Sequence, residues 1–416
     1  MTTPADAATT TAAGAGAPSR DRPADGDGDM ARRPPEGEAA VWRDPKRRLW
    51  ALGLVVPLLP FGARGMVEWT GWDGFWWMGP IWVLVLVPIL DTVFGTDETN
   101  PPEWAVPGLE ADRYYRWLTY LFVPLQYLGF AAGAWMVVHG GLSRWSQLGL
   151  SLTVGTVAGI AINTAHELGH KRDGFERRLS KVALAQTAYG HFYVEHNRGH
   201  HSRVSTPEDP ASARLGESFW RFLPRTVAGS LRSAWQLAAA AQQRRGRRVW
   251  SWRNDVLNAW ALSVALFAAT VAWLGPAVMP FLVVQAVFGV SLLEVVNYIE
   301  HYGLLRQKLP TGRYERCQPS HSWNSDNVAS NLVLYHLERH SDHHANPTRR
   351  YQSLRHFDDA PQLPSGYGLM ICLAYLPPVW RRVMDGRVLA HYGGDVARAN
   401  LAPHRRAKLL ARNGGV

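Results

Sequence analysis

At 416 residues, 47% of them hydrophobic and 19 of them Trp, the chain is long and apolar enough to bury a large core. Its formal net charge of +10 comes with no nucleic-acid-binding motif and fits basic loops beside anionic lipid better than a nucleic-acid partner. Two cysteines, Cys317 and Cys372, are too few and too far apart for a disulfide framework or a thiolate metal ribbon, and they argue against a fused iron–sulfur module.

Residues 1–40 are rich in Ala, Thr, Pro, Gly and Asp and lack the unbroken apolar stretch of a signal peptide, which predicts a disordered tail. Apolar runs follow at Leu49–Ala63, Phe75–Leu90, Trp117–Val138, Leu148–Ala165, Leu257–Trp273 and Val278–Val296. Each approaches the ~17–25 residues that a spanning helix needs, so the expected fold is an all-α integral membrane protein with six transmembrane helices. Trp50, Trp69, Trp72, Trp76, Trp77, Trp117, Trp145, Trp252 and Trp273 stand near the ends of these runs, where interfacial anchors belong. Arg43, Lys46, Arg47 and Arg48 precede the first run and the segment from Lys171 to Arg253 is heavily basic, whereas the turns at 140–147 and 275–277 carry little charge. The positive-inside rule then puts both termini, and the loops 91–116, 166–256 and 297 onward, in the cytoplasm. The stretch Tyr367–Val379 is too short to cross and carries Pro377 and Pro378, so it is expected to lie against the bundle or the membrane surface.

The cytoplasmic loops hold four histidine clusters: HELGH at 166–170, EHNRGHH at 195–201, NYIEHYG at 297–303 and LERHSDHH at 337–344. His166, His170, His196, His200, His201, His301, His340, His343 and His344 exceed the three or four ligands one zinc can use, so two ions are the economical reading. On helices these spacings put the rings of each cluster on one face. An all-nitrogen set without thiolate suits Zn, Cu, Fe or Ni, and is compatible with iron that keeps positions open for O2. HELGH alone matches the zinc-protease pattern, but such a protease has no use for the other clustered histidines. A transporter or haem-bearing subunit would carry paired histidines at both membrane faces rather than one. Glu167, Glu195, Glu300 and Asp342 stand beside the ligands and are candidates to orient the metal-bound rings through their second nitrogens. His139 falls on the opposite side of the membrane, and His191, His321 and His336 are candidates only for supporting contacts.

HELGH, EHNRGHH, NYIEHYGL and LERHSDHH, with PILDTVFGTDETNPPE at 88–103, together resemble the membrane-bound alkane 1-monooxygenase family. That family is related to the integral-membrane desaturases and to xylene monooxygenase. The likeness runs from about Arg43 to about His356, and NYIEHYGL is the string that desaturases do not share. It implies a six-helix monooxygenase domain over 41–385 followed by a basic cytoplasmic tail over 386–416. It also implies a site in the cytoplasmic (inner) membrane with two non-haem irons bound by the nine histidines, and no tenth ligand at His336. Electrons would come from separate rubredoxin and rubredoxin reductase chains, and one oxygen atom of O2 would enter the terminal C–H bond of an n-alkane. The alternatives are a di-iron acyl desaturase or hydroxylase, or a xylene-monooxygenase-like methyl hydroxylase.

Selecting the less reactive terminal methyl requires a narrow tunnel that presents the chain end-on. By the same resemblance Val83, on the second span, stands where a bulky side chain would block long chains. Val leaves room, and with ~0.8 kcal/mol gained per buried CH2 this predicts acceptance of alkanes beyond about twelve carbons. Arg339, Arg349, Arg350 and Arg355 flank the last histidine cluster and would suit an acidic redox protein or lipid headgroups.

Overall fold

Six helices of the computed structural model, which describes residues 42–413, are long and apolar enough to cross a membrane: α1 (Leu49–Thr70), α2 (Asp73–Phe94), α3 (Arg113–His139), α4 (Arg144–Gly169), α5 (Asp255–Leu274) and α6 (Pro276–His301). The chain is a multi-pass, all-helical membrane protein. Its described residues form no strand, only four isolated bridges. The expectation for residues 1–40 lies outside the described residues.

The six helices match the six apolar runs but extend beyond them. Polar caps begin several helices upstream of the hydrophobic stretch: the Asp112 carboxylate accepts from Tyr114 N–H at 2.8 Å, Ser143 from Ser146 at 3.1 Å and Asn254 from Val256 at 3.0 Å. At their other ends α4 and α6 run straight into the histidine clusters, so that His166 and His301 are still helical.

α4 is the central helix, with 89% of its apolar window buried against 22% for α2 and for α5. It meets α6 backbone to backbone. A Cβ on Gly155 would stand 2.9 Å from the Gln285 carbonyl oxygen, and one on Gly159 would stand 3.1 Å from that of Gly289. This Gly-x-x-x-Gly stripe lets two membrane helices approach more closely than larger side chains permit. The close pair fixes the relative height of His166 and His301.

α2 is irregular. It opens as a 3-10 helix over Asp73–Trp77 and widens to a π turn over Trp82–Leu86. Pro88 explains the widening, because it has no N–H to give the Leu84 carbonyl four residues back and its ring would crowd that oxygen. The carbonyl is instead met by the Cys372 thiol at 3.4 Å. Cys372 belongs to the short helix Tyr367–Ala374, whose Tyr367, Met370, Ile371 and Ala374 are buried, so the stretch expected at the bundle or membrane surface packs on the bundle.

Two expectations are corrected. The boundary at 385/386 falls inside the helix Pro377–His391, and beyond it Val396, Ala399, Leu401 and Ala402 are buried, with Leu401 bridged to Leu215. The described residues past this boundary therefore pack against the rest of the bundle. Among the tryptophans, Trp69, Trp72, Trp117, Trp145, Trp252 and Trp273 are exposed as interfacial anchors should be, but Trp50 and Trp76 are buried. Trp50 donates from its indole N–H to Asp44 at 2.8 Å and lies edge-on to His336, an apolar body with its polar tip satisfied in the interior.

Gly159→Leu should drive α4 and α6 apart. We expect a loss of about 1–3 kcal/mol of stability from overpacking, with reduced metal content, read by thermal unfolding and elemental analysis of the purified protein. An unaltered unfolding midpoint would show that the contact does not set the spacing.

Candidate metal centre

The nine histidines converge into two groups at the ends of α4 and α6. Each group's ligand atoms lie within 4.8 Å of one another: His166, His170, His196, His201 and His343 in the first, and His200, His301, His340 and His344 in the second. Together the groups contain all nine residues singled out from the sequence.

In each group the Nε2 atoms point at one another. His343 Nε2 is 2.8 Å from that of His166 and 3.1 Å from that of His201, which in turn is 3.0 Å from that of His196. His340 Nε2 is 3.2 Å from that of His301 and 2.9 Å from that of His344. A neutral ring nitrogen is either one donor or one in-plane acceptor, so His343, His201 and His340 cannot hydrogen-bond to both of their neighbours. These contacts therefore cannot all be hydrogen bonds. Two nitrogens each ~2.1 Å from one ion at right angles lie about 3.0 Å apart, which is the spacing observed. Burial, reinforced by neighbouring imidazoles, holds His170, His196, His201, His340, His343 and His344 well below the usual imidazole range, leaving lone pairs available for a cation. The buried Nε2 atoms of His170 and His200 have no hydrogen-bond partner among the described residues.

The local backbone explains the sorting. Residues 195–200 form a π turn, so His196 and His201, five apart, meet in the first group, while His200 turns to the second. His343 and His344, consecutive on the helix His340–Ala345, divide in the same way. The expectation that each cluster keeps its rings on one face is thus corrected: each HH pair splits between the two groups.

The carboxylates occupy varied places. Glu300 touches a ligand, with one oxygen 3.2 Å from His340 Nε2 and the other accepting from Tyr367 O–H at 2.9 Å. That contact is on the ring's inward nitrogen, not on the outer one expected. Glu167 pairs with Lys171 at 2.9 Å, Glu195 with Arg203 at 2.7 Å and Asp342 with Arg355 at 3.0 Å, and none of the three hydrogen-bonds to a ligand ring. They brace the surrounding loops. The carboxylate that does orient a ligand is Asp209, 2.9 Å from His200 Nδ1 and also held by Ser212 O–H at 2.6 Å. Burial opposes its charge, but His200 and the two hydrogen bonds hold it down at about 2. Asp209 lies in the loop after the second cluster, STPEDPAS, where no helical spacing ties it to His200.

His191, His321 and His336 sit outside both groups. His336 faces Trp50, Tyr351 and Lys46, and His321 faces Glu315 and Gln318. His191 is buried beside Tyr189 with neither ring nitrogen partnered among the described residues. His139 ends α3 at the far side of the bundle.

The four arginines proposed as a docking patch are turned inward. Arg339 is 2% exposed; it donates to the carbonyls of Asp97 at 2.7 Å, Leu354 at 2.9 Å and Thr99 at 3.2 Å, and pairs with Asp326. Arg349 and Arg355 engage Glu103 and Asp342, and Arg350 engages Glu176. Arg339, Arg349 and Arg355 staple the last histidine cluster to the loop after α2.

From the histidine groups a cavity leads into the bundle. His166, His196, His340 and Glu300 stand in its wall together with Val83, Val87, Ile160, Phe192, Leu292 and Ile371. Val83, singled out from the sequence by resemblance, is buried and lines this cavity at the π turn.

Two convergent histidine groups, each able to hold a metal ion, at one end of a six-helix bundle with an apolar cavity beneath them define a membrane-embedded, desaturase-like metalloprotein. The fatty acid desaturase family model matches residues 143–374. Alkane 1-monooxygenase 1 of Alcanivorax borkumensis is 48% identical over 91% of this chain and 94% of its own, and alkane 1-monooxygenase of Acinetobacter baylyi is 46% identical over 89% and 92%. The hydroxylase component of xylene/toluene monooxygenase from Pseudomonas putida is 26% identical over 74% of this chain. The chain belongs to the alkane 1-monooxygenase family.

Asp209→Asn should let the His200 ring turn and lose basicity. The expected result is a 10–100-fold weaker hold on one of two bound ions, seen by elemental analysis after dialysis against a chelator. Equal loss of both ions would contradict the division into two groups.

Proposed function

We propose that this protein hydroxylates the terminal methyl of medium- to long-chain n-alkanes to 1-alkanols, using O2 and two electrons. In balance, R–CH3 + O2 + 2 e⁻ + 2 H⁺ gives R–CH2OH + H2O. The observation that carries the reading is the apolar cavity that ends on the histidine groups, taken with kinship to alkane 1-monooxygenases. The donor set is two groups of imidazoles with no thiolate, which suits two non-haem irons. The chemistry that iron supplies when bound is activation of O2 for insertion of one oxygen atom into a C–H bond.

The chain's own residues supply orientation and exclusion. Val83, Val87, Ile160, Leu292, Leu293, Val296 and Ile371 give an alkane nothing to hydrogen-bond and keep water away, so each CH2 drawn from water into the cavity contributes ~0.8 kcal/mol. His166, His196 and His340 stand at the reactive end, where the terminal methyl is presented. Selectivity for that methyl follows from geometry, since the internal methylenes are the weaker bonds.

Electrons are assigned to rubredoxin, reduced by its own reductase. Of the nine histidines only His170 and His201, both in the first group, are partly exposed, which supports electron delivery at that face. The basic loops support a cytoplasmic metal face in the inner membrane.

Incubation with rubredoxin, its reductase, NADH, ¹⁸O2 and a ladder of n-alkanes should give singly labelled 1-alkanols. Unlabelled or absent products from a fully iron-loaded, reducible protein would move the assignment to an acyl or aromatic methyl substrate. Val83→Trp should cut the chain-length range at the long end, scored as the ratio of product from hexadecane to product from octane. A ratio equal to that of the unmodified protein would remove Val83 from the tunnel wall.

A further inference from the structure

Two amide side chains stand among the polar groups of the cavity's lining, which also include Ser330, Glu300 and Tyr367. Asn163 on α4 stands three residues before His166, and Asn297 on α6 stands three before Glu300 and four before His301. Each is thus one helical turn deeper in the bundle than the first ligand of its helix. They are 8% and 6% exposed, and both line the cavity.

Their partners fix which way each amide faces. The Asn163 amide N–H donates to the Leu334 carbonyl oxygen. The Asn297 amide N–H donates to the Glu294 carboxylate at 3.2 Å, a group already held by Tyr189 O–H at 2.8 Å and Thr226 O–H at 2.9 Å. Because both recipients are acceptors, the amide nitrogens are committed to them and the carbonyl oxygens turn the other way. Neither Oδ1 has a hydrogen-bond partner among the described residues.

An alkane cannot use these oxygens. An acceptor that faces a hydrocarbon chain without a donor is costly, by ~1–3 kcal/mol, so two of them bordering the cavity mark a place for a donor. One molecule of the proposed reaction has what they lack: the product carries a new O–H on the carbon that lay nearest the metal ligands.

We infer that Asn163 and Asn297 form a hydroxyl-accepting station for the primary alcohol, one turn below the metal-binding groups. This rests on the alkane reading of the cavity. The station gives the alcohol a resting place off the metal as its chain withdraws, and a hydroxyl-bearing ligand a site that an alkane or an ether of equal size does not have.

The test is equilibrium binding rather than turnover. Labelled n-decane is bound to the metal-loaded protein in lipid nanodiscs, with empty discs subtracted, and displaced by 1-decanol or by 1-methoxynonane, which has the same number of heavy atoms but no O–H. A neutral hydrogen bond predicts that the alcohol displaces at about tenfold lower concentration than the ether. In Asn163→Leu and, separately, Asn297→Leu the gap should narrow severalfold, with folding checked by unfolding midpoint and metal content. A full gap retained in both variants overturns the station. No gap in the unmodified protein overturns it without need of variants. Absence of any saturable decane binding overturns the alkane reading itself, and the station with it.

Discussion

The crowding of nine imidazoles is the constraint on which the rest of the structure depends. Among them His166, His196, His201 and His343, and likewise His301, His340 and His344, bring their inward nitrogens to about 3 Å in chains that hydrogen bonding cannot satisfy. Such an arrangement has to be imposed from outside the cluster. α4 and α6 do so by approaching through glycine, which sets two ligand-bearing helix ends side by side. The last cluster is imposed by charge: Arg339, at the Asp97 and Thr99 carbonyls, and Arg349 and Arg355, at Glu103, pin the segment 337–356 to the loop after α2. A buried guanidinium satisfied mainly by backbone carbonyls orders a loop more than it stabilises the fold, because its desolvation cancels most of the attraction.

Consecutive histidines are the device that serves two metal positions from one segment. Neighbouring residues on a helix project about 100° apart, so an HH pair reaches two centres, and a histidine three or four residues earlier rejoins one of them. In the second cluster a π turn adjusts this count, bringing His196 to His201 rather than to His200. The second π turn of the fold, at Trp82–Leu86, borders the same cavity and has a different cause in Pro88. Both widened turns concentrate at the site, where a regular helix would aim its side chains elsewhere.

Much of this was legible in the sequence because it is written in composition or in clustering. Six apolar runs and nine grouped histidines need no tertiary knowledge to be seen. Helix ends were less legible, since Asp112, Ser143 and Asn254 are polar and look like loop until their side chains are found capping. Direction was illegible. Arg339 reads as a surface charge, yet it is buried, and Trp50 reads as an interfacial anchor, yet it is core; one residue of sequence offset cannot tell inward from outward in irregular segments. Asp209 was missed for a related reason: the carboxylates nearest the histidines in sequence are spent on Lys171, Arg203 and Arg355, while a turn brings one from nine residues away.

The C-terminal segment shows how the cavity and the metal-binding groups are made interdependent. Tyr367 reaches Glu300, which touches His340, while Gly368 and Ile371 on the same short helix line the cavity opposite α6. Gly368 packs so closely that a Cβ would stand 2.8 Å from the Val83 carbonyl, and Cys372 meets the Leu84 carbonyl released by Pro88. One helix of eight residues therefore ties the π turn of α2 to a carboxylate at the second histidine group. A change in α2 that alters the width of the cavity is transmitted through this helix to Glu300. Chain-length selectivity and the geometry of the ligands are for that reason not separable by substitution at α2 alone.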